Sequence, residues 1–145
     1  MSTVSRSIDC TPEQVWAVLA DGWSYSAWVV GAARIREVDV DWPGPGSVIH
    51  HSVGTWPLLL DDTTSVLESE PRRRLMLQAR AWPVGEATVE ITLDTTDQGT
   101  DVTMWEDVTA GPGTLIPQLV RDPLIAQRNT ESLRRLVLIA RGRQT

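Results

Sequence analysis

The chain contains neither lysine nor phenylalanine, and Cys10 is the single cysteine among its 145 residues. One cysteine cannot form an intramolecular disulfide or a cysteine-rich zinc site. No stretch approaches the roughly 20 consecutive apolar residues that a membrane-spanning helix needs, so we expect no membrane insertion. The first residues also lack the apolar core of a secretory signal. We therefore expect a soluble protein of the cytoplasm.

Basic residues are scarce as well, and the net charge is −6. This balance argues against binding of nucleic acid, because phosphate neutralisation requires a basic face. The charge is unevenly spread: residues 1–112 hold 7 Arg against 17 acidic residues, whereas residues 113–145 hold 6 Arg against 2. We interpret the basic segment as a solvated helix face opposite an acidic sheet.

The length fits one domain over residues 1–145. Residues 2–9 alternate in polarity and predict a first strand. Thr11, Pro12 and Gln14 form a helix start signal: a capping residue, a first-turn proline and a reciprocal cap three residues after Thr11. A further helical turn is predicted over residues 24–28.

The middle of the chain alternates extended runs with short turns rich in proline and glycine. Six runs separated by five turns leave no room for crossover helices, so they predict an antiparallel meander. The last element is predicted to begin at Asp122-Pro123 and to run as a helix to about Arg141-Gly142. One face of that helix carries a mostly apolar stripe, formed by Ile125, Asn129, Leu133, Leu136 and Ala140.

The order of elements, together with the segments TPEQVWAVLAD, ESEPRRRLML, GTDVTMWEDV and NTESLRRLVLIARGR, resembles the START-like SRPBCC superfamily in its bacterial polyketide cyclase/dehydrase branch. The resemblance implies an α+β helix-grip fold. In this fold a curved antiparallel sheet of about seven strands wraps a long C-terminal helix, and two short helices lie between strands 1 and 2. It also implies a cavity for apolar molecules between sheet and helix, in proteins of which only some are enzymes.

Two tryptophan-containing turns, at Trp56-Pro57 and Trp82-Pro83, fall at the same end of a meander, as does the exit from the last strand. The resemblance makes that end the cavity mouth. The two indoles are interpreted either as an apolar, partly wet rim or as a simple cover for the open end of the sheet.

Alternation along the last strand places Glu106 on the inward side with Met104. A buried carboxylate must be paired, hydrogen-bonded, or in contact with water or ligand. We consider Glu106 either an acid/base candidate or the partner of an arginine on the helix.

His51 is predicted to face inward and its neighbour His50 outward, so the two cannot ligate one metal, and we expect no metal site. His51 is either a general base or donor toward a ligand, or a hydrogen-bonded core histidine.

The remaining candidate site residues are one amide side chain and three residues of the expected cavity wall. Asn129 interrupts the apolar helix stripe and has either a ligand group or a strand carbonyl as its partner. Ala79 and Ala81 leave space near the mouth, which a ligand or bulk from the helix can fill. Trp28 is a pocket wall or a core residue.

These residues favour a module that binds a small apolar ligand, either lipid-like, polyketide or aromatic. One alternative is a polyketide cyclase or dehydratase that uses His51 or Glu106 for proton transfer. The other is an interaction module with apolar residues on the convex face, where Met76, Trp82 and Trp105 are expected. No nucleotide-binding or hydrolase motif is present, so we expect no cofactor, and no pattern indicates an oligomeric state.

Overall fold

The computed structural model describes residues 1–55 and 58–143 and contains a seven-stranded sheet with three α-helices. The strands are β1 (Ser2–Ile8), β2 (Ala32–Val38), β3 (Val48–Thr55), β4 (Leu58–Glu70), β5 (Arg74–Ala81), β6 (Gly85–Thr96) and β7 (Gly99–Ala110). The helices are α1 (Pro12–Leu19), α2 (Tyr25–Trp28) and α3 (Gln118–Gly142), with 3₁₀ turns at Gly22–Ser24 and Pro112–Leu115. None of the described helices is long and apolar enough to cross a membrane.

All strand pairs are antiparallel, in the order β1-β7-β6-β5-β4-β3-β2. The predicted meander is therefore confirmed, and β1 pairs with the last strand. Shifts of register place an extra residue on β2, on β4 and, opposite Glu86 and Ala87, on β7. Bulges of this kind bend a strand and increase its twist, which is how the sheet acquires the curvature that the helix-grip fold requires.

Helix α1 begins as predicted. Thr11 has extended backbone angles, its hydroxyl accepts from the backbone N–H of Gln14, and the Gln14 side chain accepts from the backbone N–H of Thr11. The two groups thus satisfy each other at the helix start. This end of α1 fixes the direction in which the chain leaves β1.

Replacing Thr11 by alanine is expected to lower the free energy of unfolding by about 1 kcal/mol, because the Gln14 backbone N–H loses the hydroxyl, one of its two acceptors, and keeps only the Thr11 carbonyl. Urea denaturation measures the change. Thr11→Ser keeps the hydroxyl and is expected to retain most of the stability. Equal losses in the two variants would contradict a role for the cap.

Helix α3 begins at Gln118, so the predicted start at Asp122 was wrong. The sequence signal placed Pro123 in the first turn, but this proline lies inside the helix. Tertiary contacts hold the added turn: the Arg121 guanidinium donates to the carbonyls of Gly113 and Ile116, and Asp122 accepts from the N-terminal amine. These partners lie outside the helix and could not be predicted from a local pattern.

The predicted stripe of α3 is buried against the sheet along its whole length. Its far half packs in a core with α1, where Val15 and Val18 are fully buried. The half nearer the N-terminus of α3 faces a space instead of close-packed side chains. Asn129 marks the boundary and is itself buried.

The arginines of α3 pair with acidic groups, as the interpretation of a helix face opposite an acidic sheet predicts. Glu131 bridges Arg134 and Arg135 on the exposed side, and these partners lower the pKa of Glu131 to about 2. The other ion pairs join the helix to the rest of the fold: Arg121–Asp107, Arg128–Glu106, Arg141–Asp9 and Arg143–Asp21.

Candidate ligand-binding site

A cavity of about 460 Å³ lies between the concave side of the sheet and the first half of α3. Its walls come from α2, α3 and the strands β3 to β7. They are mainly apolar, with Trp28, Leu77, Val89, Ile91, Met104 and Ile125 among them. Two small residues of β5, Ala79 and Ala81, also line the cavity.

The structure brings most of the predicted site residues together. Eight of them line the cavity: Trp28, His51, Ala79, Ala81, Met104, Glu106, Ile125 and Asn129. Trp56 lies outside the described residues. The inward orientation assigned to β7 from alternation holds, since Val102, Met104 and Glu106 are all buried.

Trp82 lies at the expected end but outside the cavity lining. Its indole is 38% exposed, donates to the Glu86 carboxylate at 3.0 Å, and lies against Gly111. The chain turns directly after Ala81, so the indole covers the exit from β7 instead of the mouth. Val84, two residues later, takes the position on the rim.

The mouth is ringed by apolar side chains that belong both to the cavity and to the surface. These are Leu60, Val84, Ile116 and Leu124. Leu115 and Leu119 stand beside them and are 83% and 92% exposed. Sequence reasoning missed this rim because α3 was predicted to start after it, although the segment 115–120 is an apolar run with no buried face to explain it.

The turn between β5 and β6 is held close to the exit of β7 by Gly85. Its φ is +140°, and a Cβ atom there would lie 2.0 Å from the carbonyl oxygen of Ala110. Only glycine permits this approach. The contact fixes Val84 above the cavity.

One polar group of the lining is centred on Thr64, which is fully buried. Its hydroxyl lies 2.8 Å from Nε2 of His51 and 3.3 Å from the Tyr25 hydroxyl. The rings of Tyr25 and His51 stack with centroids 5.8 Å apart. Burial lowers the pKa of His51 and raises the pKa of Tyr25, so both side chains are uncharged near neutral pH.

The second polar group joins β7 to α3. The carboxylate of Glu106, which is 5% exposed, accepts from the Arg128 guanidinium at one oxygen and from the Asn129 amide, at 3.2 Å, at the other. The arginine partner that was one of the two interpretations of Glu106 is thus Arg128. The partner of Asn129 is a strand carboxylate, which neither interpretation of that residue named.

Sequence reasoning missed several polar lining residues: Tyr25, Thr64, Arg80, Glu86, Arg121, Arg128 and Ser132. Thr64 had a usable signal, since it pairs across β3 and β4 close to His51 and alternation places it on the same side. Tyr25 is the single tyrosine of the chain. Arg128 sits next to Asn129 on a helix rich in arginine, so nothing local distinguished it from the solvated ones.

The convex face carries less exposed apolar surface than expected. Met76 and Trp105 are both half-buried. The Trp105 indole lies 3.1 Å from the sulfur of Met1, and the Met76 sulfur lies 3.8 Å from the Arg74 guanidinium. The largest exposed apolar side chains near one another are instead those at the mouth.

A family model described as polyketide cyclase/dehydrase and lipid transport matches residues 2–138. No curated protein matches the chain. Many solved structures share the fold. A protein from Rhodobacter sphaeroides is 25% identical, with a TM-score of 0.73, 97% of this chain covered and 91% of that one.

Two further structures share the fold at lower identity. Ara h 8.0201 is 12% identical with a TM-score of 0.73, and 97% of this chain and 96% of that chain are covered. The di-domain ARO/CYC StfQ from the steffimycin biosynthetic pathway is 10% identical, also with a TM-score of 0.73. The match covers 98% of this chain and 50% of that protein. At these identities the likeness concerns the fold alone.

Proposed function

Since the chain belongs to the polyketide cyclase/dehydrase and lipid transport family, within the START-like SRPBCC superfamily, we propose that it binds a small apolar ligand in the cavity between sheet and α3. A lipid-like, polyketide or aromatic molecule fits this description. The observation that carries the proposal is an apolar cavity with a few converging polar groups, which is the usual composition of a small-molecule site.

The size and the access of the cavity support this function. Its volume of about 460 Å³ lies within the range of about 300–1,000 Å³ typical of sites for small molecules. The apolar walls continue without interruption onto the exposed rim at Val84, Ile116 and Leu124. A ligand of low solubility can therefore enter along apolar surface.

The enzymatic alternative has weaker support, because Glu106 and one ring nitrogen of His51 are already engaged. Both oxygens of Glu106 accept hydrogen bonds from α3. Nε2 of His51 faces Thr64, and its Nδ1 is buried with no hydrogen-bond partner among the described residues. A general acid or base must reach the reacting atom directly or through one water, so we place binding ahead of catalysis.

The interaction-module alternative has weaker support than expected, since Met76 and Trp105 are half-buried and only Trp82 is exposed, at 38%. Exposed apolar residues elsewhere, such as Trp23 and Val40, lie outside the cavity lining, whereas Leu60, Val84, Ile116 and Leu124 surround the cavity mouth. Their position favours passage of a ligand over docking of a protein on the convex face.

Native mass spectrometry of freshly purified protein, followed by titration with fatty acid amides, flavonoids and aromatic polyketides, tests the proposal. We expect a saturable one-to-one complex and a change in tryptophan fluorescence, because Trp28 forms part of the cavity wall. If no compound binds and none co-purifies, the binding function is wrong.

Filling the cavity is expected to abolish binding without unfolding the protein. In Ala79→Phe the new ring occupies the space in front of β5, so we expect the affinity for any ligand found in the screen to fall at least about tenfold. Ala33→Phe adds the same ring at an exposed position outside the lining and serves as the control. Neither change alters the tryptophan content, so the fluorescence readout is comparable. Equal affinities in the two variants would place the ligand elsewhere.

A further inference from the structure

Each arginine of the cavity lining has a carboxylate as its partner. The ionisable lining residues are Tyr25, His51, Arg80, Glu86, Glu106, Arg121 and Arg128. Each arginine has an acidic partner: Arg128 pairs with Glu106, and Arg121 lies 3.7 Å from Asp107. Arg80 lies 3.6 Å from Asp62 and 3.8 Å from Glu86. No arginine of the described lining is left without a carboxylate.

Each cation of this lining already has a protein carboxylate as its partner, although Nε of Arg121 is buried without a hydrogen-bond partner among the described residues. A ligand carboxylate would either enter unpaired or compete with Glu106 for Arg128, which would leave one of the two anions without a cation in an apolar environment. Burying an unpaired charge is far more costly than burying a hydrogen-bonded neutral group. The charge arrangement therefore disfavours an anionic ligand, although three arginines line the cavity.

Uncharged polar groups remain available to a neutral ligand. The Nδ2 amide of Asn129 has two hydrogens and donates one to Glu106, which leaves the second to donate. The Tyr25 hydroxyl lies 3.3 Å from its partner Thr64, which is a long hydrogen bond. The hydroxyl can therefore rotate and donate to a ligand oxygen instead. Both residues line the cavity beside apolar walls. A hydroxyl or carbonyl oxygen of a ligand can thus be hydrogen-bonded there.

We propose that the ligand is an uncharged apolar molecule with a hydroxyl or carbonyl group, and that carboxylates such as fatty acid anions are excluded. This inference rests on the proposed binding function and specifies its ligand class. The pairing of Glu106 with Arg128 is the feature that sets the preference, because it neutralises the guanidinium that would otherwise attract an anion.

Two pairs of ligands with matched shapes test the inference: 2-naphthamide with 2-naphthoic acid, and dodecanamide with dodecanoic acid. At about pH 7.5 both acids are ionised and both amides are neutral. Dissociation constants are measured by tryptophan fluorescence and by native mass spectrometry. We expect each amide to bind at least about 30-fold more tightly than its acid.

The same measurements distinguish failure of this inference from failure of the proposed binding function. If an acid binds as tightly as its amide, or more tightly, the inference is wrong and the binding function stands. If no member of either pair binds, the binding function is wrong and the inference falls with it.

Glu106→Gln tests whether the ion pair is the cause. Glutamine keeps the shape and a hydrogen-bonding carbonyl but leaves the Arg128 guanidinium without its anion. We expect the preference for the amide over the acid to fall at least about tenfold, because the freed cation now attracts the carboxylate. A loss of packing alone would weaken both ligands and leave their ratio unchanged. An unchanged ratio would overturn the assignment.

Discussion

Replacing Arg128 by methionine is expected to lower the free energy of unfolding by about 2 to 3 kcal/mol near neutral pH. The change keeps most of the alkyl stem and removes the cation from Glu106, which is 5% exposed and retains only the Asn129 amide as a partner. Breaking a buried pair from one side costs about 3 to 5 kcal/mol. We expect a loss below that range because the Arg128 side chain is 40% exposed. Chemical denaturation measures it.

Two control variants separate charge from packing. Arg134→Met breaks an exposed pair with Glu131 on the same helix and is expected to change stability by less than about 1 kcal/mol. Adding Glu106→Gln to Arg128→Met removes the buried charge and is expected to recover most of the loss. If the double variant is no more stable than Arg128→Met, the unpaired carboxylate is not the cause.

Replacing Thr64 by valine is expected to lower the free energy of unfolding by about 2 to 3 kcal/mol. Valine matches the shape of threonine but removes the hydroxyl that contacts both Nε2 of His51 and the hydroxyl of Tyr25. Each buried polar group left without a partner costs about 1 to 3 kcal/mol. His51 contributes most to this loss of stability, because its Nδ1 already has no hydrogen-bond partner among the described residues and Nε2 would lose its own. Thermal and urea denaturation give the change.

Thr64→Ser provides the matched comparison. Serine keeps the hydroxyl and loses one methyl group, for which about 1 kcal/mol is expected. The smaller side chain should therefore give the more stable variant. If Thr64→Val proves the more stable of the two, the hydrogen bonds around Thr64 contribute less than the methyl group does.

The sequence predicted the fold well because the relevant signals were local. Turn residues at regular intervals separated the strands of the meander, and Thr11, Pro12 and Gln14 marked the start of α1. The spacing of Ile125, Leu133 and Leu136 identified the buried face of α3. The predicted start of α3 was wrong because the first turn is held by hydrogen bonds from the Arg121 guanidinium to the carbonyls of Gly113 and Ile116. These carbonyls lie outside the helix, and only the fold places them near Arg121.

The candidate site was predicted in part for the same reason. Alternation along a strand decides which side a residue faces, and this correctly turned His51 and Glu106 inward. It does not decide what they meet there. The indole of Trp82 was expected at the rim, but the turn after Ala81 carried it to the exit of β7.

The sequence by itself determined the order and type of the elements, the antiparallel sheet and the face that each element buries, since these depend on periodicity and turn chemistry within a few residues. Only the tertiary structure decided the partners within the cavity. Glu106 and Asn129 are 23 positions apart in the sequence and share a hydrogen bond, as do Tyr25 and Thr64, which are 39 positions apart. Such contacts follow from how the sheet curves around α3, and this curvature has no local signature. The pairing of each cavity arginine with a carboxylate, on which the expected ligand class depends, is therefore a property of the folded protein.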